Sequence, residues 1–348
     1  MMKGNYGNGE TDVLLNRRVG ESIRGVGVLL LAAATGVVLM SQPSFAATAN
    51  NTANTLKITP IRTDIQIQAG TTQSVKVTIT NLTNSPISVR PIENDFVAGD
   101  ERGTPALILD ADKYAPTHSL KRFMAPLADV VLPAKESRVV SVVMAVPKNA
   151  QAGGYFGAVR FAPTSPDGGG QVNLSGSVAS LILMTVPGPA TEKLNLTNFD
   201  IQQNGKTGST FQTSDNLSLF TRFENTGSIQ LGPIGKISVK KGDNVVYSTD
   251  FNTVDPREMT LPDSARRWDI PLKNIDGFGH YTALATYTYG TKNQTIEVTK
   301  SFWIIPMSVI IGAIIGLIVL ILLVVGIILL VRSRKRHNQR NRFGNGYR

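Results

Sequence analysis

The chain has 348 residues, 42% hydrophobic and 17% charged, with 18 Pro, 32 Gly, three His and no Cys. That composition excludes a collagen repeat, a mainly disordered chain, disulfide staples, thiolate metal sites and a Cys nucleophile, and with His118, His280 and His337 alone it nearly excludes a multi-histidine metal site. The formal charge of +10 has to be located along the chain before it can suggest any partner.

Taken in chain order, the first element is an apolar run from Gly25 to Met40, preceded by Arg17, Arg18 and Arg24 and followed by Ser41-Gln-Pro-Ser-Phe-Ala-Ala47. This is the basic, apolar, small-residue order of a secretory signal. Ser44 and Ala46 sit at the −3 and −1 positions of a cut before Ala47, so residues 1–46 are read as a signal with an extended N-region. An uncleaved N-terminal anchor is the other reading, and in both cases the chain that follows is exported.

From there to residue 300 the pattern is period two, rich in β-branched residues and punctuated by Gly, Pro, Asn and Asp, which predicts an all-β region. Strands are expected at Ser74–Thr80, Ile87–Phe96, Val130–Leu132, Arg138–Val146, Tyr155–Phe161 and Val172–Val186, with a loop or short helix around Ser119–Met124. Pro187-Gly188-Pro189 breaks the pattern and marks a junction between domains 47–187 and 190–300. The second set is expected at Leu194–Ile201, Leu217–Glu224, Ile234–Val239, Val245–Thr249, Arg257–Leu261 with Arg267–Ile270, His280–Tyr289 and Gln294–Ser301. Seven short strands at such spacing are what an immunoglobulin-like sandwich needs. Tyr281, Ala283, Ala285, Tyr287 and Tyr289 share one strand face and are expected in the core, as are Leu217, Leu219 and Phe223.

No charge interrupts the chain from Ser301 to Val331, well beyond the roughly 20 residues that cross a bilayer. Residues 302–331 are read as a transmembrane helix with Trp303 at the lipid–water interface and Arg332, Arg334, Lys335 and Arg336 as its cytoplasmic flank. Residues 332–348 hold seven Arg or Lys and no acid, while residues 25–331 hold 24 basic and 22 acidic side chains that nearly cancel. The positive charge therefore belongs to membrane topology and anionic lipid, not to nucleic acid. The chain reads as a single-pass type I protein with residues 47–300 outside the cell and the tail in the cytosol.

Catalytic chemistry finds little support. Two histidines, His118 and His280, lie in the exported region, neither in a nucleophile motif. Carboxylate pairs such as Asp110 with Asp112, or Glu93 with Asp95, depend on tertiary geometry for any glycosidase role. Asp110-Ala-Asp112 lacks the further oxygen ligands of a calcium loop. Asp167-Gly-Gly-Gly170 has no following helix or Lys to make it a phosphate loop. No cofactor or metal is expected. Binding through a flat β surface or a strand edge is expected instead, with Tyr155, Phe156 and Arg160, beside the Gly153-Gly154 turn, as the exposed candidates on the membrane-distal domain.

A run of motifs adds a family expectation: Ile58-Thr-Pro60, Ala69-Gly70, Asn81-Leu-Thr-Asn-Ser-Pro-Ile87, Leu132-Pro-Ala-Lys-Glu136, Val146-Pro-Lys-Asn-Ala150 and Gly153-Gly-Tyr-Phe-Gly-Ala158. In this order they resemble the N-terminal domain of the WxL-interacting surface proteins of Gram-positive bacteria, although Ala158 stands where that family has a second Gly. Phe223-Glu-Asn-Thr-Gly227, Gly232-Pro-Ile-Gly-Lys-Ile237 and Gly279-His-Tyr-Thr-Ala283 are similar to its second immunoglobulin-like domain. The resemblance implies a non-enzymatic surface protein that attaches to peptidoglycan through the first domain and to surface or host proteins through the second, as an adhesin or scaffold. Two other readings stand beside it: a chaperone-like assembly factor that holds β-rich surface proteins through an exposed edge, and a membrane-anchored wall hydrolase. The first should leave a long, uncharged edge uncovered, and the second should show two carboxylates or a His lining a deep pocket.

The topology can be checked directly. Protease added to intact cells should remove residues 47–300 and spare the tail, and a digested tail would reverse the orientation. Charge reversal at Arg332, Arg334, Lys335 and Arg336 should weaken membrane retention or orientation.

Overall fold

A computed structural model describes residues 55–164 and 176–343. The signal segment, the Asp167–Gly170 turn and the start of the strand expected from Val172 lie outside the described residues. The described chain is all-β up to a single C-terminal helix. The strands are β1 (Leu56–Thr59), β2 (Arg62–Gln66), β3 (Thr72–Asn81), β4 (Ile87–Ala98), β5 (Pro105–Leu107), β6 (Val130–Leu132), β7 (Ser137–Ala145), β8 (Gly153–Thr164) and β9 (Val178–Val186). After Pro187-Gly188-Pro189 come β10 (Leu194–Gln203), β11 (Lys206–Thr207), β12 (Thr210–Phe211), β13 (Leu217–Asn225), β14 (Ile234–Lys241), β15 (Asn244–Phe251), β16 (Ser264–Pro271), β17 (Gly279–Tyr289) and β18 (Gln294–Ile304). The helix α1 spans Met307–Phe343.

The first sandwich packs a β1-β3-β7 sheet against a sheet ordered β2-β9-β8-β4, with β6 and β5 pairing to the two ends of β4. Its core holds Val75, Val77, Ile79, Val140, Val142 and Met144 from one sheet, and Val159, Phe161, Ile182 and Met184 from the other. Such alternation is the period-two signal realised, because successive side chains leave opposite faces of a strand. Sequence reading missed β1 and β2. The chain pairs antiparallel with β3 before Pro60 and parallel with β9 after it, so neither half is long enough to show a period.

The second sandwich faces β11-β10-β13-β16 against β12-β18-β17-β14-β15. Tyr281, Ala283, Ala285, Tyr287 and Tyr289 are all buried, as are Leu217, Leu219 and Phe223. Phe223 meets Tyr287 edge to face at 4.9 Å and Trp268 at 5.9 Å. The Tyr287 hydroxyl bonds to Thr221 Oγ1, and burial pushes the phenol above its ordinary value. Arg257–Leu261 is not a strand. It is a loop bridged only at Thr260 to Leu231, and the neighbouring strand begins at Ser264. The short helix expected around Ser119–Met124 is a 3-10 turn at Lys121–Phe123.

Each sandwich pins the same corner with a buried asparagine. Asn81 Nδ2 donates to the Ser85 and Leu132 carbonyls while its Oδ1 accepts the Thr83 N–H. Asn225 repeats this with Ile229, Thr260 and the Gly227 N–H. A buried amide is tolerated where its donors and acceptor find partners, and these two turn β3 toward β4 and β13 toward β14.

The membrane segment starts later than the apolar run suggested. Phe302 and Ile304 are 1% exposed and belong to the core of the second sandwich. Hydropathy cannot separate a buried strand from a lipid-facing helix when one runs into the other. From Met307 to Arg332 the helix is apolar on all sides, with none of its most apolar window buried in protein. It continues to Phe343 through the basic residues read as a tail.

Truncating Phe223 to Ala should cost about 3–5 kcal/mol, the range for a fully buried aromatic. Thermal melting of the full-length protein followed by near-ultraviolet circular dichroism measures it, and a loss under about 1 kcal/mol would contradict this core.

Candidate functional site

The two sandwiches share a second apolar layer on the outer face of β8. Phe96, Phe156, Ala158 and Leu183 are buried there, with Leu107 and Leu181, against Met259 and Leu261 from the loop before β16. Gly154 N donates to the Ser228 carbonyl, Arg267 N to the Glu101 carbonyl, and Gln230 Nε2 to Thr185 Oγ1 across the same junction. Arg222 clasps the Glu101 carboxylate with contacts of 2.7 and 3.1 Å. That hydrogen bonding holds the Glu101 carboxyl below its usual range. A cavity of about 230 Å³ remains beside this layer, with an apolar floor of Leu183 and Leu261 and a rim of Arg62, Glu258 and Arg266. Arg62 pairs with Asp64 and Arg266 with Glu258 at 2.6 Å each, while the Arg266 Nε is buried without a partner among the described residues, and burial pulls Arg266 below its ordinary value.

This arrangement redraws the candidate contact residues. Phe156 is 3% exposed and lies in the junction, so it is not part of an open distal face. Sequence periodicity showed that alternate residues of the strand must be core, yet here both faces are covered. Tyr155 is half-buried, tilted on Phe123 at 4.9 Å with its hydroxyl bonded to the Gln151 carbonyl. Arg160 is half-buried and donates to Asn94 Oδ1 at 3.3 Å. Trp303 is 42% exposed beside the start of α1, while Arg332 and Arg334 lie on the helix itself.

The carboxylates serve as staples. Asp95 is fully buried and accepts from Ala115 N, Ser119 Oγ and Lys121 N, while Glu93 accepts from Leu127 N. Together they tie the irregular 110–127 segment to β4. Asp110 is held locally by Asp112 N and Lys113. His118 Nδ1 donates to the Gly154 carbonyl at 2.6 Å, leaving Nε2 4.0 Å from Asp263. His280 is exposed with its ring 4.9 Å from Trp303. Among the described residues no hydroxyl is hydrogen-bonded to either imidazole, and no group of three or more His, Asp or Glu is placed to hold a metal.

The remaining open features are strand edges. β2 carries Arg62 and Asp64, and β16 carries Arg266, Arg267 and Asp269 with the Arg267 amide already bonded across the junction. Charges and coverage of this kind are how proteins blunt edges. By contrast, β7 has one charge, Arg138, over nine residues, and β15 one, Asp250, over eight. Each pairs on one side only among the described strands. At the far end of β7, Ala125 N donates to the Val143 carbonyl and Met124 bridges Met144. Main-chain groups alternate in direction along an antiparallel strand, so Val139 and Ser141 point theirs the same way as Val143. No backbone partner meets them there among the described residues. Val139 is 61% exposed, and Val131, on the strand four residues before β7, is 63% exposed. Neither sequence pattern nor motif marks an edge, since strand order is set by long-range pairing.

No family model and no curated protein matches the chain. Solved structures that are similar include the class 5 fimbriae chaperone CfaA, at 14% identity over 72% of this chain and 99% of that one, with a TM-score of 0.38. Others are the YadV chaperone, at 11% identity over 72% and 100% with a TM-score of 0.35, and the E. coli chaperone DraB, at 14% over 71% and 96% with a TM-score of 0.30. Likeness this low carries no argument about partners or activity. The fold itself defines the class: a membrane-anchored all-β protein of two immunoglobulin-like sandwiches in tandem.

The Glu101–Arg222 clasp should make the junction acid-sensitive. A carboxyl whose folded value is depressed adds stability above its unfolded value and loses it as pH falls through the folded one. Hydrogen exchange of the Arg267 amide, corrected for intrinsic rate, should therefore accelerate on acidification below the ordinary glutamate range. In Glu101→Gln that acceleration should be absent, and an identical pH profile would show the clasp to be idle.

Proposed function

We propose that the protein is a non-enzymatic, membrane-anchored assembly factor outside the cytoplasm, which holds extended segments of β-rich surface proteins by strand addition. The observation that supports it is the outer edge of β7, which carries the one charge Arg138 and where Val139 and Ser141 offer main-chain groups with no backbone partner among the described residues, beside exposed valines. Strand addition uses main-chain hydrogen bonds for affinity and alternate side chains for selection. The short contact from Ala125 already pairs with the far end of this edge as an added strand would. An adhesin or scaffold on peptidoglycan, which the sequence resemblance implies, would use the same sandwiches with folded partners. The two readings differ in whether the client is unfolded or folded.

Ser141→Pro tests the mechanism because the amide it removes points away from β3, leaving the ladder inside the sheet intact. Losing one or two added-strand hydrogen bonds at about 1 kcal/mol each should weaken a fluorescent alternating Val/Thr decapeptide about tenfold in Kd. Val139→Lys should act in the same direction. Fluorescence anisotropy on the full-length protein in nanodiscs measures both, with thermal melting as the folding control. Unchanged affinity in both folded variants would remove β7 as the binding edge. Tight binding of folded surface proteins or peptidoglycan without binding of the extended peptide would favour the scaffold reading.

A further inference from the structure

The membrane-proximal end of the second sandwich exposes an aromatic patch built from two separate segments. Phe278, in the loop before β17, is 50% exposed, and Trp303, on β18, is 42% exposed. Their rings lie 6.3 Å apart, and the His280 ring stands 4.9 Å from Trp303. The patch rests on a rigid base. Tyr281 stacks on Phe302 at 5.4 Å, and its hydroxyl donates to the Asp276 and Gly277 carbonyls, pinning the loop that carries Phe278. Ile275 in that loop is 2% exposed.

No slack separates this patch from the membrane helix. Trp303 N donates to the Ser209 carbonyl and Ile305 N to the Phe211 carbonyl, and Val309 N already donates to the Pro306 carbonyl in the first turn of α1. Four residue steps separate Trp303 from Met307, which span at most about 14 Å of extended chain. The apolar helix, 26 residues from Met307 to Arg332, is about 39 Å long at about 1.5 Å per residue. A hydrocarbon layer of about 30 Å is shorter, and tilt takes up such a surplus. A tilted helix with no linker leans the sandwich onto the bilayer on one side.

We propose that Phe278 and Trp303 mark that side and insert together into the lipid headgroup–acyl boundary, fixing the angle at which the sandwich stands on the membrane. The Trp303 indole, with an apolar body and a polar N–H, favours this zone, and Phe278 adds apolar surface beside it. Lys241, whose amine lies 5.2 Å from the Tyr281 ring centre, is placed at the same end to meet lipid phosphate. Lipid is the occupant because the patch is continuous with the segment already in the bilayer. The inference needs the helix to be embedded and is independent of strand addition at β7.

The chain has no cysteine, so single nitroxide labels can be placed without removing native thiols. The full-length protein with Phe278→Cys, labelled and reconstituted at one copy per phosphatidylcholine/phosphatidylglycerol nanodisc, is compared with a label at Leu109→Cys on the first sandwich. Leu109 is 61% exposed. The label at 278 should be several-fold less accessible to a chelated nickel relaxant than the label at 109, and more accessible to oxygen. Adding Trp303→Ser should restore nickel access at 278 several-fold while carbonate extraction still leaves the protein in the membrane and the melting curve stays cooperative. Equal nickel access at 278 and 109 would overturn the proposal. So would shielding at 278 that arises only with two copies per disc, which would make a second chain the occupant. Loss from the membrane in every variant would indict the anchor instead.

Discussion

Strand β8 is buried on both faces, and this double burial organises the rest of the molecule. Val159 and Phe161 face the core of the first sandwich, while Phe156 and Ala158 face the layer closed by Met259 and Leu261 of the second. A strand with apolar groups on both faces needs cover on both. The second sandwich supplies the outer cover, so the two domains are joined by a core layer as well as by the chain between Val186 and Leu194. Gly153 and Gly154 permit that approach: a Cβ at either would meet Ser228 or Gln230 within about 3 Å.

From this layer follows the placement of everything polar around it. Glu101 and Arg222, Arg62 and Asp64, Arg266 and Glu258 ring the junction and satisfy one another at its margin. Pairs at this level of exposure add orientation more than stability. The joined face is covered, and among the outer strands of the described sheets β7 and β15 are the longest that carry a single charge. In the second sandwich β18 contributes Phe302 and Ile304 to the core, and α1 begins three residues after Ile304.

The sequence by itself determined the all-β class, the tandem arrangement, the C-terminal membrane helix and most strand positions. These follow from local patterns: period-two alternation in β3, β7, β13 and β17, turn residues between them, and a charge-free run after Lys300. It also placed the aromatic face of β17 in a core, because five alternating apolar residues allow one strand only a single buried side. Tertiary structure alone decided what covers the second face of β8, which made Phe156 a junction residue. It turned Asp95 and Glu93 into staples for a loop, left Arg257–Leu261 outside the sheets, and kept Phe302 and Ile304 out of the lipid. It also selected β7 and β15 as edges. Each of these depends on which segment, distant in sequence, packs or pairs against a given residue, and a periodicity read along one strand contains no information about its neighbour.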